Sequence, residues 1–334
     1  MRLGLDVQGG DKAPIEILKG AYEASGNLKG DLILYGKKEE ILAYDSKCPF
    51  EIVDCSEVIT GEDSPVDAIR KKRDSSMVRG LVDLKEGRID GFVSAGNSGA
   101  LLAGGLLRLG RLGGIERPGL AIPFPTSKGA SLLLDAGANA DVKAGSIRDF
   151  ALMGSLYREL VMGQVNPSVG LVNIGEEAGK GNQLVKDSYP LLEELDINFV
   201  GSVEARGIPA GEVDVIVTDG FTGNVILKLA EGMASSFGGL LKDSLMSSLK
   251  SKLGALLIKD SLKGFMKKLD YKEYGGAPLL GVKGYLVKAH GSSDARAIMN
   301  ALYFLEKYVE SDMLEELEKA IEERRESEKT TEDL

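Results

Sequence analysis

A chain of 334 residues, 43% hydrophobic and 28% charged, is long enough to bury a full core as one large α/β unit or two closely packed lobes. Its formal net charge of -10 argues against a general role on nucleic acid, because phosphate backbones are held by clustered Lys and Arg. Cys48 and Cys55 are its only cysteines, without CxxC spacing or a Cys/His cluster, which points away from a disulfide framework or a zinc site and toward a reducing cytoplasm.

The opening Met1-Arg2-Leu3-Gly4-Leu5-Asp6 runs straight into a strand pattern with no signal-peptide apolar stretch, and no run of about 18 apolar residues occurs anywhere. Neither secretion nor a membrane span is expected. Short apolar runs at residues 3–7, 32–35, 51–53, 92–93, 120–122, 132–134, 169–172, 198–200, 213–217 and 285–287 alternate with helical patterns. Strands mostly followed by helices predict an α/β fold with a largely parallel sheet between helix layers, and ligands at the strands' carboxyl ends. No repeat or low-complexity linker marks a domain boundary, so residues 1–334 read as one catalytic unit.

Loops rich in Gly, Asn and Asp follow the strands where that rule places a ligand: residues 6–11, 94–99, 135–139, 173–182, 219–224 and 290–294. Any one of them is ordinary turn and cap chemistry. Their recurrence at one rim points to a cleft. Ser94-Ala95-Gly96-Asn97-Ser98-Gly99, a turn between a strand and an apolar helix, aims backbone N–H groups and a helix dipole at an anion. Asp219-Gly220-Phe221-Thr222-Gly223-Asn224 repeats the design.

Across residues 237–269, Leu241, Leu245, Leu249, Leu253, Leu256, Leu257, Leu262, Phe265, Met266 and Leu269 recur at helical spacing, with Gly254 and Asp260 as possible breaks. Seven Lys against Asp243 and Asp260 give this insert a charge of +5. Two readings stand side by side: a helix, or pair of helices, lying on anionic lipid, or one packed on the sheet or on a second subunit. Residues 305–334 form an acidic helix or tail, with 12 acidic and 5 basic residues supplying -7 of the -10. Arg70, Lys71, Lys72, Arg73 and Arg79 are the densest basic cluster outside the insert.

Two familiar motifs fail. Gly175-Glu176-Glu177-Ala178-Gly179-Lys180-Gly181 is one residue short of a P-loop, with Gly181 where a Ser or Thr would hold magnesium. No GxGxxG with an acidic residue about twenty positions on follows the first strand. Chemistry without a cofactor or metal is the expectation. His290, the one histidine, lies near Ser292 and Ser293, but no Gly-x-Ser-x-Gly elbow accompanies them, and it reads as a ligand-binding or structural residue rather than a triad base.

Taken in order, Asp6-Val7-Gln8-Gly9-Gly10-Asp11-Lys12-Ala13-Pro14, the 94–100 turn, Leu134-Asp135-Ala136-Gly137-Ala138-Asn139, Asn173-Ile174-Gly175-Glu176-Glu177, Lys180-Gly181-Asn182, the 219–224 turn, Tyr274-Gly275-Gly276-Ala277-Pro278-Leu279-Leu280-Gly281 and Ala289-His290-Gly291-Ser292-Ser293 resemble one family across nearly the whole chain. It is the PlsX family, the acyl-carrier-protein-dependent phosphate acyltransferases of bacterial phospholipid synthesis. The resemblance implies a Rossmann-like α/β/α sandwich related to phosphotransacetylases and isopropylmalate dehydrogenases, with the amphipathic segment protruding. It also implies transfer of a fatty acyl group from the thioester of acyl carrier protein to inorganic phosphate. A membrane glycerol-3-phosphate acyltransferase would then consume the acyl phosphate. Homodimers, a cytoplasmic location and peripheral membrane association follow from the same resemblance, with Leu249, Leu253, Leu256 and Leu257 as membrane contacts. Gln8 and Lys12 depart from the family's first motif, which carries Met and His there.

Phosphate is already anionic at neutral pH and can attack a thioester without a covalent enzyme intermediate, so the reaction needs positioning and oxyanion donors. Ser94, Asn97, Ser98 and Gly99 are expected to cradle phosphate, Lys180 to clamp it, and Asn182, Asn224 and His290 to line the reacting centre. Asp6, Asp11, Asp135 and Asp219 are expected to orient loops, since bare carboxylates repel phosphate. The basic cluster at residues 70–79 is either the dock for acidic acyl carrier protein or a solvated helix face. An acyl-coenzyme A phosphotransacetylase, a non-catalytic membrane scaffold and a dehydrogenase are the rival readings.

Overall fold

The computed structural model of the chain describes residues 1–177, 179–269 and 275–332, except the side chains of 265–269 and 324–332. Ala178 and Tyr274, and the side chains of Phe265, Met266, Lys267, Lys268 and Leu269, therefore lie outside the described residues.

Two sheets carry the architecture. The first contains β1 (Arg2–Asp6), β2 (Asp31–Gly36), β3 (Glu51–Asp54), β4 (Gly91–Ser94), β5 (Gly119–Leu120), β11 (Ala277–Leu280) and β12 (Tyr285–Lys288) in the order β3-β2-β1-β4-β12-β11-β5. Its first five strands are parallel, and β11 runs antiparallel to both of its neighbours. The second contains β6 (Ile122–Thr126), β7 (Gly129–Leu134), β8 (Val169–Asn173), β9 (Phe199–Glu204) and β10 (Val215–Val217) in the order β6-β7-β10-β8-β9, parallel except for β6.

Strand periodicity explains the layers. Successive side chains point to opposite faces, so Leu32 and Leu34 of β2 join the core beneath α1 (Ile15–Ser25) and α11 (Ala295–Val309), while Ile33 and Tyr35 join the opposite core with Met77, Val78 and Leu81 of α4 (Ser76–Lys85). The second sheet repeats the scheme. Leu132, Leu134, Val215 and Val217 pack with Ile147, Phe150 and Ala151 of α6 (Ala144–Leu160), whereas Leu133 and Ile216 pack with Leu227 of α8 (Gly220–Met246). A sheet covered on both faces needs near-continuous apolar strands, which is how these read.

The remaining helices are α2 (Lys38–Tyr44), α3 (Pro65–Lys71), α5 (Ser98–Gly104), α7 (Gln183–Glu193), α9 (Leu249–Leu257), α10 (Lys259–Leu269) and α12 (Met313–Glu332). In the acidic tail Met313, Leu317 and Ile321 are buried at helical spacing, so one stripe of α12 belongs to the core.

Three expectations are refined. The run at residues 120–122 is split, β5 ending at Leu120 and β6 starting at Ile122, and here the chain passes from one sheet to the other. Strand β11 was hidden by Pro278, which normally argues against an interior strand. The proline lacks an N–H, yet its carbonyl accepts from Ala121 N at 3.0 Å. The amphipathic segment is three helices, not one or two, because it continues α8 from Gly220. Its breaks fall at Ser247–Ser248 and Ile258, and Gly254 stays inside α9, whose cap is Ser248 accepting from Ser251 N at 3.1 Å.

Candidate active site

A cavity of about 260 Å³ opens where the two sheets meet. The first sheet supplies Lys288, Ala289, His290 and Gly291 at the end of β12, with Ser98 and Leu102 of α5. The second supplies Ile122, Ala136 and Gly137, with Asn224, Leu227, Lys228 and Glu231 on one face of α8. The site therefore combines an apolar wall with a few polar groups, as small-molecule sites usually do.

Its polar residues are set by caps and turns. Asp219 caps α8, accepting from Thr222 N and from the Thr222 hydroxyl, both at 2.8 Å. That fixes the first turn, from which Asn224 faces the cavity. Gly223 lies so close to Asp135 that any Cβ would overlap the Asp135 carbonyl oxygen. The Asp135 carboxylate accepts from Leu120 N (3.0 Å), Gly137 N (3.1 Å), Ala138 N (2.9 Å), Asn139 N (2.8 Å) and Asn139 Nδ2 (2.9 Å). This one fully buried side chain draws the loops after β5 and β7 together at the cavity.

Asp6 is the matching hub of the first sheet. It accepts from the Ser76 and Ser94 hydroxyls, each at 2.6 Å, and from Gln8 N at 3.1 Å. Burial raises the carboxyl pKa of both Asp6 and Asp135, and their donors oppose it. The Asp11 amide donates to Gly291 O at 2.8 Å, tying the loop after β1 to the loop after β12. The Gln8 amide donates to Glu40 at 3.1 Å.

At His290, the Ser292 backbone N–H donates to Nδ1 at 3.2 Å, and the Ser292 hydroxyl lies 2.9 Å from the same atom. A backbone N–H can only donate, so Nδ1 accepts and the neutral ring carries its proton on Nε2. The imidazole is built as a donor.

The expected residues divide. Ser98, Asn224 and His290 line the cavity together. Ser94 is fully buried, its hydroxyl held by Asp6 and accepting from Gly96 N at 3.0 Å. Asn97 caps α5, accepting from Ala100 N at 3.0 Å, and its Nδ2 donates to Thr60 O, also at 3.0 Å. Beside it, a Cβ on Gly99 would meet Pro65 Cγ at 2.7 Å. Lys180 and Asn182 do not line the cavity. The Lys180 ammonium pairs with Glu177 at 2.8 Å, and Asn182 caps α7, accepting from Val185 N at 3.0 Å. In the basic cluster, Lys71 pairs with Asp67 (3.2 Å), Lys72 with Asp63 (2.7 Å) and Arg79 with Asp74 (2.8 Å). Among the described residues no group of three or more His, Cys, Asp or Glu could hold a metal ion, and no helix is long and apolar enough to cross a membrane.

Lys288 is a cavity residue that sequence reasoning missed, as are Lys228 and Glu231. It ends β12, its ammonium donates to Ala289 O and lies 3.5 Å from Ala95 O, and burial pushes its pKa down to about 8 while Asp6 and Asp11 pull the other way. Its position at the carboxyl end of a parallel strand, two residues before His290, was the available signal.

A family model described as "Fatty acid synthesis protein" matches residues 1–316. The chain belongs to that family. It is the PlsX family that the motifs resemble, and the chain is an enzyme of the acyltransferase class. A phosphate acyltransferase from Alkaliphilus oremlandii (strain OhILAs) is 54% identical over 326 residues, covering 96% of this chain and 97% of its own. Another, from Clostridioides difficile (strain 630), is 48% identical over 339 residues and covers 100% of both chains. In fold, the family member is similar to a phosphotransacetylase from Streptococcus pyogenes, with a TM-score of 0.62 at 15% identity over 92% of this chain and 94% of that one. A 4-hydroxythreonine-4-phosphate dehydrogenase from Klebsiella pneumoniae gives a TM-score of 0.52 at 14% identity over 92% and 99%. These likenesses support the α/β fold with mostly parallel sheets.

Proposed function

We propose that the chain transfers a fatty acyl group from the thioester of acyl carrier protein to inorganic phosphate, releasing acyl phosphate by direct attack of phosphate oxygen on the carbonyl. The reading is carried by the convergence of Ser98, Asn224 and His290 with an apolar wall of Leu102, Leu120, Ile122 and Leu227 in one cavity. The wall takes the first part of the acyl chain. The Asn224 amide and the His290 Nε2–H are the donors for the tetrahedral oxyanion, and the first-turn amides of α5 at Ser98 and Gly99 face the anion. Lys180 and Asn182, on the loop after β8, lie outside the cavity lining. Attack by the phosphate oxygen forms the C–O bond and puts the carbonyl electron pair on the oxyanion; its collapse breaks the C–S bond, and the carrier-protein thiolate leaves with that bond's electron pair.

The test is release of free thiol from a long-chain acyl carrier protein. Release that needs orthophosphate and yields a hydroxylamine-trappable acyl product is the expected outcome. Release only from acyl-coenzyme A would move the donor to the phosphotransacetylase type, and no release from either thioester would contradict the reading.

Peripheral membrane docking and homodimerisation belong to the same proposal. Leu249, Leu253, Leu256 and Leu257 are 85%, 62%, 66% and 80% exposed, beside lysines, as an interfacial helix requires. Leu253→Glu with Leu257→Glu is expected to cut co-sedimentation with anionic vesicles at least tenfold and to leave soluble turnover within twofold. Unchanged sedimentation would rule out docking through this segment. On α8, Phe221, Val225, Leu229, Met233 and Phe237 form an exposed stripe at four-residue spacing, which suits a second copy.

A further inference from the structure

Among the described residues, an anion entering the cavity meets few cations. Lys228 is neutralised by Glu231 at 2.8 Å, and the Lys180 ammonium is outside, paired with Glu177. Lys288 lines the cavity and forms no ion pair among the described residues. Two backbone carbonyls, Ala289 O and Ala95 O, accept from its ammonium. An ammonium has three donors, so the third N–H remains for a ligand. The backbone of the same short segment brings His290, with its proton on Nε2, to the same cavity.

We propose that Lys288 is the cation that binds orthophosphate in this site, the role sequence reasoning gave to Lys180. The inference rests on the phosphate-acceptor reading above. Ala95 belongs to the turn after β4, so the Lys288 ammonium also bridges β12 to the turn that leads into Ser98. Phosphate held there shares the cavity with Ser98 and Asn224, which line it too. Among the described residues, the charged and titratable groups facing Lys288 are Asp6 at the end of β1, Asp11 in the loop that follows, the Lys228–Glu231 pair on α8, and the His290 imidazole just past the end of its own strand.

Binding of inorganic phosphate alone, read from 31P line broadening by the full chain, separates this from the catalytic reading. Parent and Lys180→Ala are expected to bind phosphate within threefold of each other, Lys288→Arg to retain binding, and Lys288→Met to lose at least tenfold. Lys288→Met binding like the parent, or Lys180→Ala losing tenfold, would overturn the assignment. Should Lys288→Met not fold, the pH dependence of the other two decides. An ammonium titrating at about 8 is charged below that pH, so parent affinity falls between pH 7 and 9, whereas Lys288→Arg, always charged, holds its affinity. Coincident profiles would sink the idea. Phosphate-dependent thiol release is measured separately: its absence in the parent contradicts the acyltransfer reading, while its presence beside unchanged phosphate binding in Lys288→Met contradicts the Lys288 assignment alone.

Discussion

Replacing His290 with alanine is expected to lower kcat for acyl transfer about 10²–10³-fold, the usual loss for one well-placed oxyanion donor. Because His290 is exposed, folding stability should move by no more than about 0.5 kcal/mol. Glutamine is the decisive comparison. Its amide offers an N–H near the position of Nε2, so His290→Gln should keep activity within about tenfold of the parent. A general base would behave otherwise, with glutamine and alanine equally inactive and kcat rising with pH as the imidazole loses its proton. Steady-state kinetics of the three proteins between pH 6 and 8 checks this. Equal losses in both variants would show that His290 removes a proton instead of donating a hydrogen bond.

A larger structural effect is expected at Asp135. Asp135→Ala leaves the donors of Leu120, Gly137, Ala138 and Asn139 without their acceptor, and the side chain removed is fully buried. Unsatisfied buried groups cost about 1–3 kcal/mol each where water cannot reach them, so a net loss of about 3–5 kcal/mol in urea unfolding is the expected result. Activity should fall further than the folded fraction alone explains, because Ala136 and Gly137 line the cavity and Gly223 packs on the Asp135 carbonyl. Asp135→Asn keeps one oxygen for Leu120, Gly137 and Ala138 but presents an N–H₂ to the Asn139 donors, and should fall between the two. A loss below about 1 kcal/mol for Asp135→Ala would mean that water replaces the carboxylate and that it does not organise the rim.

These two residues show what was legible in the chain. His290 and Asp135 both follow an apolar run, and the rule that ligands gather at the carboxyl ends of parallel strands was enough to place them. The same rule located Ser98 and Asn224. It could not tell which way a side chain turns. Ser94 ends β4 beside the cavity, yet strand alternation points it inward to Asp6. Asn97 caps its own helix and reaches back to Thr60 O. Lys180 stood out because it follows glycines, but its loop is closed by a Glu177 pair three residues away, a local interaction that spacing alone does not rank against a ligand. Lys288 was overlooked for the opposite reason: a lysine at the end of an apolar strand reads as the point where the chain meets solvent. Here it is half-buried in the cavity where the two sheets meet. The helical insert was visible from its period, while its continuity with α8 was not, because Gly232, Gly238 and Gly239 look like stops in sequence and remain helical in the fold.

The central claim is that the cavity activates phosphate toward a thioester with no acyl group passing through the protein. Exchange of label between the acyl thioester of the carrier protein and free, isotopically labelled carrier-protein thiol, followed in the absence of phosphate, tests this most directly. Direct attack predicts no exchange above the uncatalysed rate, with thiol released only after orthophosphate is added. Exchange that proceeds without phosphate, or a thiol burst equal to the enzyme concentration, would reveal an acyl-enzyme and contradict the account.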